Sequence, residues 1–140
     1  MTANTLEEAI FEKLLADVDV TAIVGEGADA RIYPMILPQS VQFPAVHFSR
    51  ISADRTYSMD GKTGLSGARF QFESYSEKTP EEVKSLSEAI RRSLEVFQGT
   101  VGNVVINGIF LEFDSSLDNF DDRTDLFRYT QDFIIHHQEN

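Results

Sequence analysis

The sequence has no cysteine and no tryptophan. Without a thiol there can be no disulfide, no thiolate nucleophile and no cysteine-ligated metal. Basic residues are scarce: 12 Lys and Arg stand against 23 Asp and Glu, a formal charge of −11. Affinity for nucleic acid comes largely from neutralising phosphate, so a chain of this sign is a poor candidate for gripping DNA or RNA. The same repulsion opposes an anionic membrane surface. It does not keep DNA from passing nearby, since a negative wall repels DNA without holding it. Long apolar runs are also missing; Val104-Val105-Ile106 and Ile109-Phe110-Leu111 fall far short of a membrane span. The opening Met1-Thr2-Ala3-Asn4-Thr5-Leu6-Glu7-Glu8 sets two carboxylates ahead of any apolar run. A signal peptide is therefore not expected, and synthesis in the cytoplasm is.

What the chain does have is material for a core. Its 140 residues are 41% hydrophobic and include 11 phenylalanines. A chain of this length fits one domain, here residues 1–140, and buries roughly two thirds of its unfolded surface.

Local signals order that domain. Thr5 with Glu8 three positions on forms a capping box, and Leu6, Ile10, Leu14, Leu15 and Val18 follow at helical spacing. Asp19 is placed to cap a further short turn over 20–24, which Gly25 and Gly27 end. Pro34, Pro38 and Pro44 then restrict the chain to an extended piece at Arg31-Ile32-Tyr33 and an ordered loop. Strands are predicted over 45–54, with Val46 and Phe48 on one face, and over 65–76. In the second, Ala68, Phe70 and Phe72 alternate with Arg69, Gln71 and Glu73. Between them, 55–64 is too long for a tight turn and reads as a projecting linker.

A second helix begins at Thr79-Pro80 with Glu82 completing a capping box. It carries the stripe Val83, Leu86, Ile90, Leu94, Phe97 and stops at Gly99. Such a stripe ordinarily packs on its own domain's sheet. Asn107-Gly108 reads as a turn between apolar runs. The last strand is predicted over 126–136, with Phe127, Tyr129, Phe133 and Ile135 on one side. The resulting fold class is α+β: a mostly antiparallel sheet with two main helices packed on one face.

Candidate chemistry fails on context. Gly61-Lys62-Thr63 looks like the end of a phosphate-binding loop, but Thr56 stands where the first glycine is needed and a strand follows instead of a helix. Gly25-Glu26-Gly27-Ala28-Asp29-Ala30 follows a helix, not the strand a dinucleotide fingerprint requires. The cluster Asp114, Asp118, Asp121, Asp122 and Asp125 has no EF-hand spacing, so it reads as a solvated turn or an electrostatic face. His47 reads as a structural strand histidine and His136-His137 as a frayed tail; no nucleophile elbow accompanies them. No catalytic, cofactor-binding or metal-binding residues are assigned. The linker is the feature where function is favoured. Arg55, Tyr57, Met59, Asp60 and Lys62 combine interface-type side chains with a turn-forming Asp-Gly.

Taken in order, several short pieces carry a resemblance. They are Ile23-Val24-Gly25, Arg31-Ile32-Tyr33-Pro34, Leu37-Pro38-Gln39, Phe43-Pro44-Ala45, Tyr57-Ser58-Met59-Asp60-Gly61, Gly64-Leu65, Arg69-Phe70-Gln71-Phe72-Glu73-Ser74-Tyr75 and Phe97-Gln98-Gly99-Thr100. The chain resembles the tail completion family of long-tailed phages and prophages, also described as tail terminator or tail-to-head joining proteins. The resemblance runs over almost the whole chain. Phe70 and Phe72 stand where smaller β-branched residues are more usual, and 114–125 is unusually acidic. The resemblance implies a non-enzymatic virion structural protein, made in the bacterial host and placed in the virion tail. It implies a ring, often of six subunits, that caps the head-proximal end of the tail tube, ends its polymerisation and meets the head connector. Its partners would be itself (in some cases only on assembly), the tail tube protein and the head connector protein. In that setting the acidic cluster would line or border the DNA channel. The alternative from another class is a small non-catalytic α+β ligand-binding or adaptor domain, and a third is an enzyme built from scattered Asp, Glu and His.

Overall fold

The computed structural model describes residues 3–34, 37–58, 61–119 and 125–138, with the side chains of 53–58, 61–66, 115–116 and 119 left out of the description. Helix α1 (Leu6–Leu15) begins at the expected capping box. Thr5 Oγ1 accepts the Glu8 N–H at 3.2 Å, and the Glu8 carboxylate accepts the Thr5 N–H at 3.1 Å. Helix α2 (Val18–Val24) starts earlier than expected, because its cap is Asp17 and not Asp19. Asp17 Oδ1 accepts the Asp19 N–H at 2.9 Å, and the Asp17 carbonyl accepts the Thr21 N–H at 3.0 Å. Gly25, at φ 97°, ends it.

Among the described residues six strands follow: β1 (Ile32–Pro34), β2 (Ala45–Ser58), β3 (Gly61–Ser76), β4 (Gly99–Val101), β5 (Val104–Asn119) and β6 (Phe127–Gln138), with α3 (Pro80–Leu94) between β3 and β4. They form one sheet in the order β1-β2-β3-β6-β5-β4. All neighbours are antiparallel except β1 and β2, which run parallel. The α+β sheet read from the sequence is the one present. Arg31 ties its edge to the helices: Nε donates to the Pro44 carbonyl at 2.7 Å and a terminal nitrogen donates to the Ile23 carbonyl at 3.3 Å.

The core lies between the helices and one sheet face. Leu6, Ile10 and Leu14 of α1 and Leu86, Ile90 and Leu94 of α3 cluster with Val46, Phe48, Ala68, Phe70, Phe72, Phe133 and Ile135. Phe48 and Phe72 are direct cross-strand partners with stacked rings 5.2 Å apart, and Phe133 meets Phe72 edge-on at 5.4 Å. Such ring pairs contribute about 0.5–1.5 kcal/mol beyond the burial of their area.

Four local expectations change. The segment 55–64 is not a linker: β2 and β3 continue into it, pairing through Tyr57↔Lys62 and Ser58↔Gly61. Asn107-Gly108 is not a turn but a bulge inside β5; Gly102-Asn103 makes the turn. Gly102 has φ +59° and sits so close to Ala3 that an added Cβ would lie 2.5 Å from the Ala3 nitrogen. Helix α3 stops at Leu94, not at Gly99. Val96, at φ 55°, leaves the helix to donate its N–H to the Ile109 carbonyl at 2.8 Å. Finally, His136 and His137 are not frayed. Both lie in β6, and His137 is buried.

Candidate functional surfaces

Of the five interface candidates in 55–64, Met59 and Asp60 lie outside the described residues. Arg55, Tyr57 and Lys62 lie in strand backbone whose side chains are not described. The backbone itself is informative. Among the described residues β6 pairs with β3 from Leu65 to Ser76, so beyond Leu65 the β2–β3 pair continues with no third described strand. The outer edge of β2 is paired with β1 only at 46–48, and the outer edge of β5 is paired with β4 only at 104–106. Residues 49–58 and 108–119 thus present strand edges with no neighbouring strand among the described residues. On the second edge the Val96 N–H donates to the Ile109 carbonyl.

The acidic cluster is split by the fold. Asp121 and Asp122 lie outside the described residues, and Asp125 is an exposed turn residue. Asp114 and Asp118 belong to β5, not to a turn. Asp118 pairs across the sheet with Arg128 in a two-pronged contact, Nε to Oδ1 at 3.0 Å and Nη2 to Oδ2 at 2.7 Å. Asp114 instead lies near Arg91 of α3, adding to the charge that raises the Arg91 guanidinium's pKa after the nearer Glu88. The two carboxylates therefore serve different surroundings.

Arg128 is a centre that sequence reading missed. Its row across the sheet is Ala45, Tyr75, Arg128, Asp118. The guanidinium also reaches Glu73 at 3.4 Å, while Tyr75 donates its hydroxyl to Glu73 at 3.3 Å and His47 Nδ1 lies 3.8 Å from the same carboxylate. The Asp118 hydrogen bond holds the Arg128 proton more firmly than usual. Burial pushes the Tyr75 phenol upward, and the Glu73 charge adds to it. These groups floor an open cleft of about 700 Å³ whose other wall includes Pro38, Val41 and Phe43. Its described lining contains no serine or threonine to stand beside His47 as a nucleophile. Only strand register brings Arg128, Glu73 and Asp118 together, so no local motif could have revealed them. Further along the sheet, Arg69 grips the nearly buried Asp132 at 2.8 Å.

Exposed apolar side chains are few. Among the described residues the large ones are Val18, Ile51, Val96, Phe110, Phe113 and Leu117, and four of these lie on the two open edges. No described helix is long and apolar enough to cross a membrane.

Residues 8–138 match the family model described as Tail completion protein gp17. No curated protein matches the sequence. Among solved structures, a chain from the virion of a native gene transfer agent (GTA) particle superposes with a TM-score of 0.72 at 18% identity. The match covers 95% of this chain and 94% of that one.

Proposed function

We propose that this chain, which belongs to the tail completion protein gp17 family, caps the head-proximal end of a phage or prophage tail tube, ends tube polymerisation and joins the tail to the head connector. The observation that carries this reading is the family match, which runs over nearly the whole chain. In the proposal, residues 1–140 act as one tail-completion domain, made in the bacterial host and placed in the virion tail. The domain works without catalysis, metal or cofactor. Copies form a ring, often of six, with the tail tube protein on one side and the head connector on the other. The uncovered strand edges support assembly as the working principle, since soluble proteins normally cover or disrupt such edges.

The acidic segment is assigned to the border of the channel, where like charge lets DNA slide without adhering. Replacing Asp121 and Asp122 with lysine is expected to leave rings intact while reducing DNA delivery; normal infectivity of that variant contradicts the assignment. The capping role is tested by removing the protein from tail assembly. Tubes longer than normal and unattached to heads are expected. Tails of normal length joined to heads would overturn the reading.

A further inference from the structure

The two open edges fit each other. β2 and β5 run antiparallel within the chain, because β2 is antiparallel to β3, β3 to β6, and β6 to β5. A second copy set beside the first in the same orientation therefore brings its β5 edge against the first copy's β2 edge in antiparallel sense. The short outer strands decide the offset. β1 occupies the outer side of β2 at 46–48, and β4 occupies the outer side of β5 at 104–106. Level stacking would drive the 119 end of β5 into β1. Sliding the second copy by about five residues, roughly 17 Å at a strand's rise per residue, clears β1 and carries β4 past the tip of β2. Residues 49–58 then face 110–119, clear of Ile109, whose carbonyl already accepts the Val96 N–H.

At that offset the side-chain chemistry also matches. Arg50 comes level with Asp118, Ile51 with Leu117, and Arg55 with the stretch holding Glu112 and Asp114. The β2 stretch carries two arginines and one carboxylate, and the β5 stretch carries three carboxylates and no base. Arg50 is shared with Glu7 at 3.2 Å and Asp118 with Arg128, so these charges are already held in place on each edge. Ile51 and Leu117 are half-exposed apolar side chains with no other cover. Bulges interrupt both strands, at 51 in β2 and at 107, 112 and 114–115 in β5. Bulged edges discourage indiscriminate stacking and leave pairing to an edge of matching shape.

We infer that the β2 edge of one copy pairs antiparallel with the β5 edge of a second copy, extending one sheet from subunit to subunit. This rests on the ring reading above and specifies its contact. The contact is head-to-tail: each copy gives one edge and receives the other, an arrangement that closes into a ring when the rotation between copies closes and otherwise runs on as a filament. An edge that pairs with its own kind would instead give a two-fold dimer.

The absence of cysteine provides a clean background for the test. Full-length Ile51→Cys and Leu117→Cys proteins, one carrying a mass tag, are each expressed with the cognate tail tube protein, mixed and mildly oxidised. A disulfide joining the two variants is expected, with each variant alone staying uncrosslinked. Ring assemblies that give no mixed disulfide overturn the edge contact and leave the ring reading standing. Homodimer disulfides in either single variant overturn it in favour of a two-fold contact. If the unsubstituted protein never forms multimers, even with tube protein, the ring reading fails and the edge contact with it.

Discussion

At the scale of single residues, the fold rests on aromatic packing and on a few polar atoms held inside the sheet. Phe72 touches both Phe48 and Phe133. Phe72→Ala is expected to cost about 3–5 kcal/mol, read as a lower urea midpoint with little change in slope. Asp118 presents the opposite case. Its pair with Arg128 is close but partly exposed on both sides, so Asp118→Ala is expected to change stability by less than about 1 kcal/mol. A large assembly defect in that variant beside a small stability change would locate the residue's role at an interface. Glu8 provides a pH marker. Backbone N–H bonds from Asn4 and then the Thr5 side chain and backbone hold its carboxyl below the ordinary 4.5. Its contribution is complete above 4.5 and is lost as the pH falls through the lowered folded value. The protection of the Thr5 amide against hydrogen exchange, relative to an unstructured chain at the same pH, is expected to hold down to 4.5 and to fall as the pH drops through the lowered Glu8 value. Loss of protection well above 4.5 would contradict the capping geometry.

At the scale of elements, the starts of α1 and α3 and the end of α2 were legible, while the start of α2 and the end of α3 were not. The caps at Thr5 and Thr79 depend on residues three positions away, so sequence alone locates them; Thr79 Oγ1 accepts the Glu82 N–H at 3.1 Å as expected. Thr79→Ala is expected to cost about 1 kcal/mol in a denaturation measurement. The Glu82 carboxylate, however, does not return to the cap. It accepts the buried Ser76 hydroxyl at 2.6 Å, a partner that exists only once β3 and α3 are folded together. The end of α3 is likewise set by a distant acceptor, Ile109, and not by the nearest glycine. Turns divide the same way. Asn107-Gly108 carries the stronger local signal, but the N-terminal segment needs a partner: the Asn103 N–H donates to the Ala3 carbonyl at 2.8 Å, which places the reversal at Gly102-Asn103. Gly102→Ala is expected to destabilise the chain more than an exposed-loop substitution would, since both the positive φ and the Ala3 backbone oppose a side chain there. A stability equal to that of the unsubstituted protein would rule out this approach.

At the scale of the whole molecule, the alternating strands 65–76 and 126–136 and the amphipathic helix were enough to read an α+β sheet with helices on one face. The candidate surfaces were harder. Arg55, Tyr57 and Lys62 looked like a loop because Gly61 and Gly64 suggest a break, yet backbone pairing carries both strands through them. The acidic run looked continuous, yet register sends Asp118 to Arg128 and Asp114 towards α3. Which edges stay open depends on the lengths of β1 and β4, each three residues, and no local pattern encodes that relation. The ring on a tail tube is the central functional assignment proposed for this chain. Its most direct test is the mass of the intact protein, alone and with the cognate tube protein, measured by native mass spectrometry. A closed oligomer, formed alone or on the tube, is predicted; a monomer that never assembles in the presence of tube protein would contradict it.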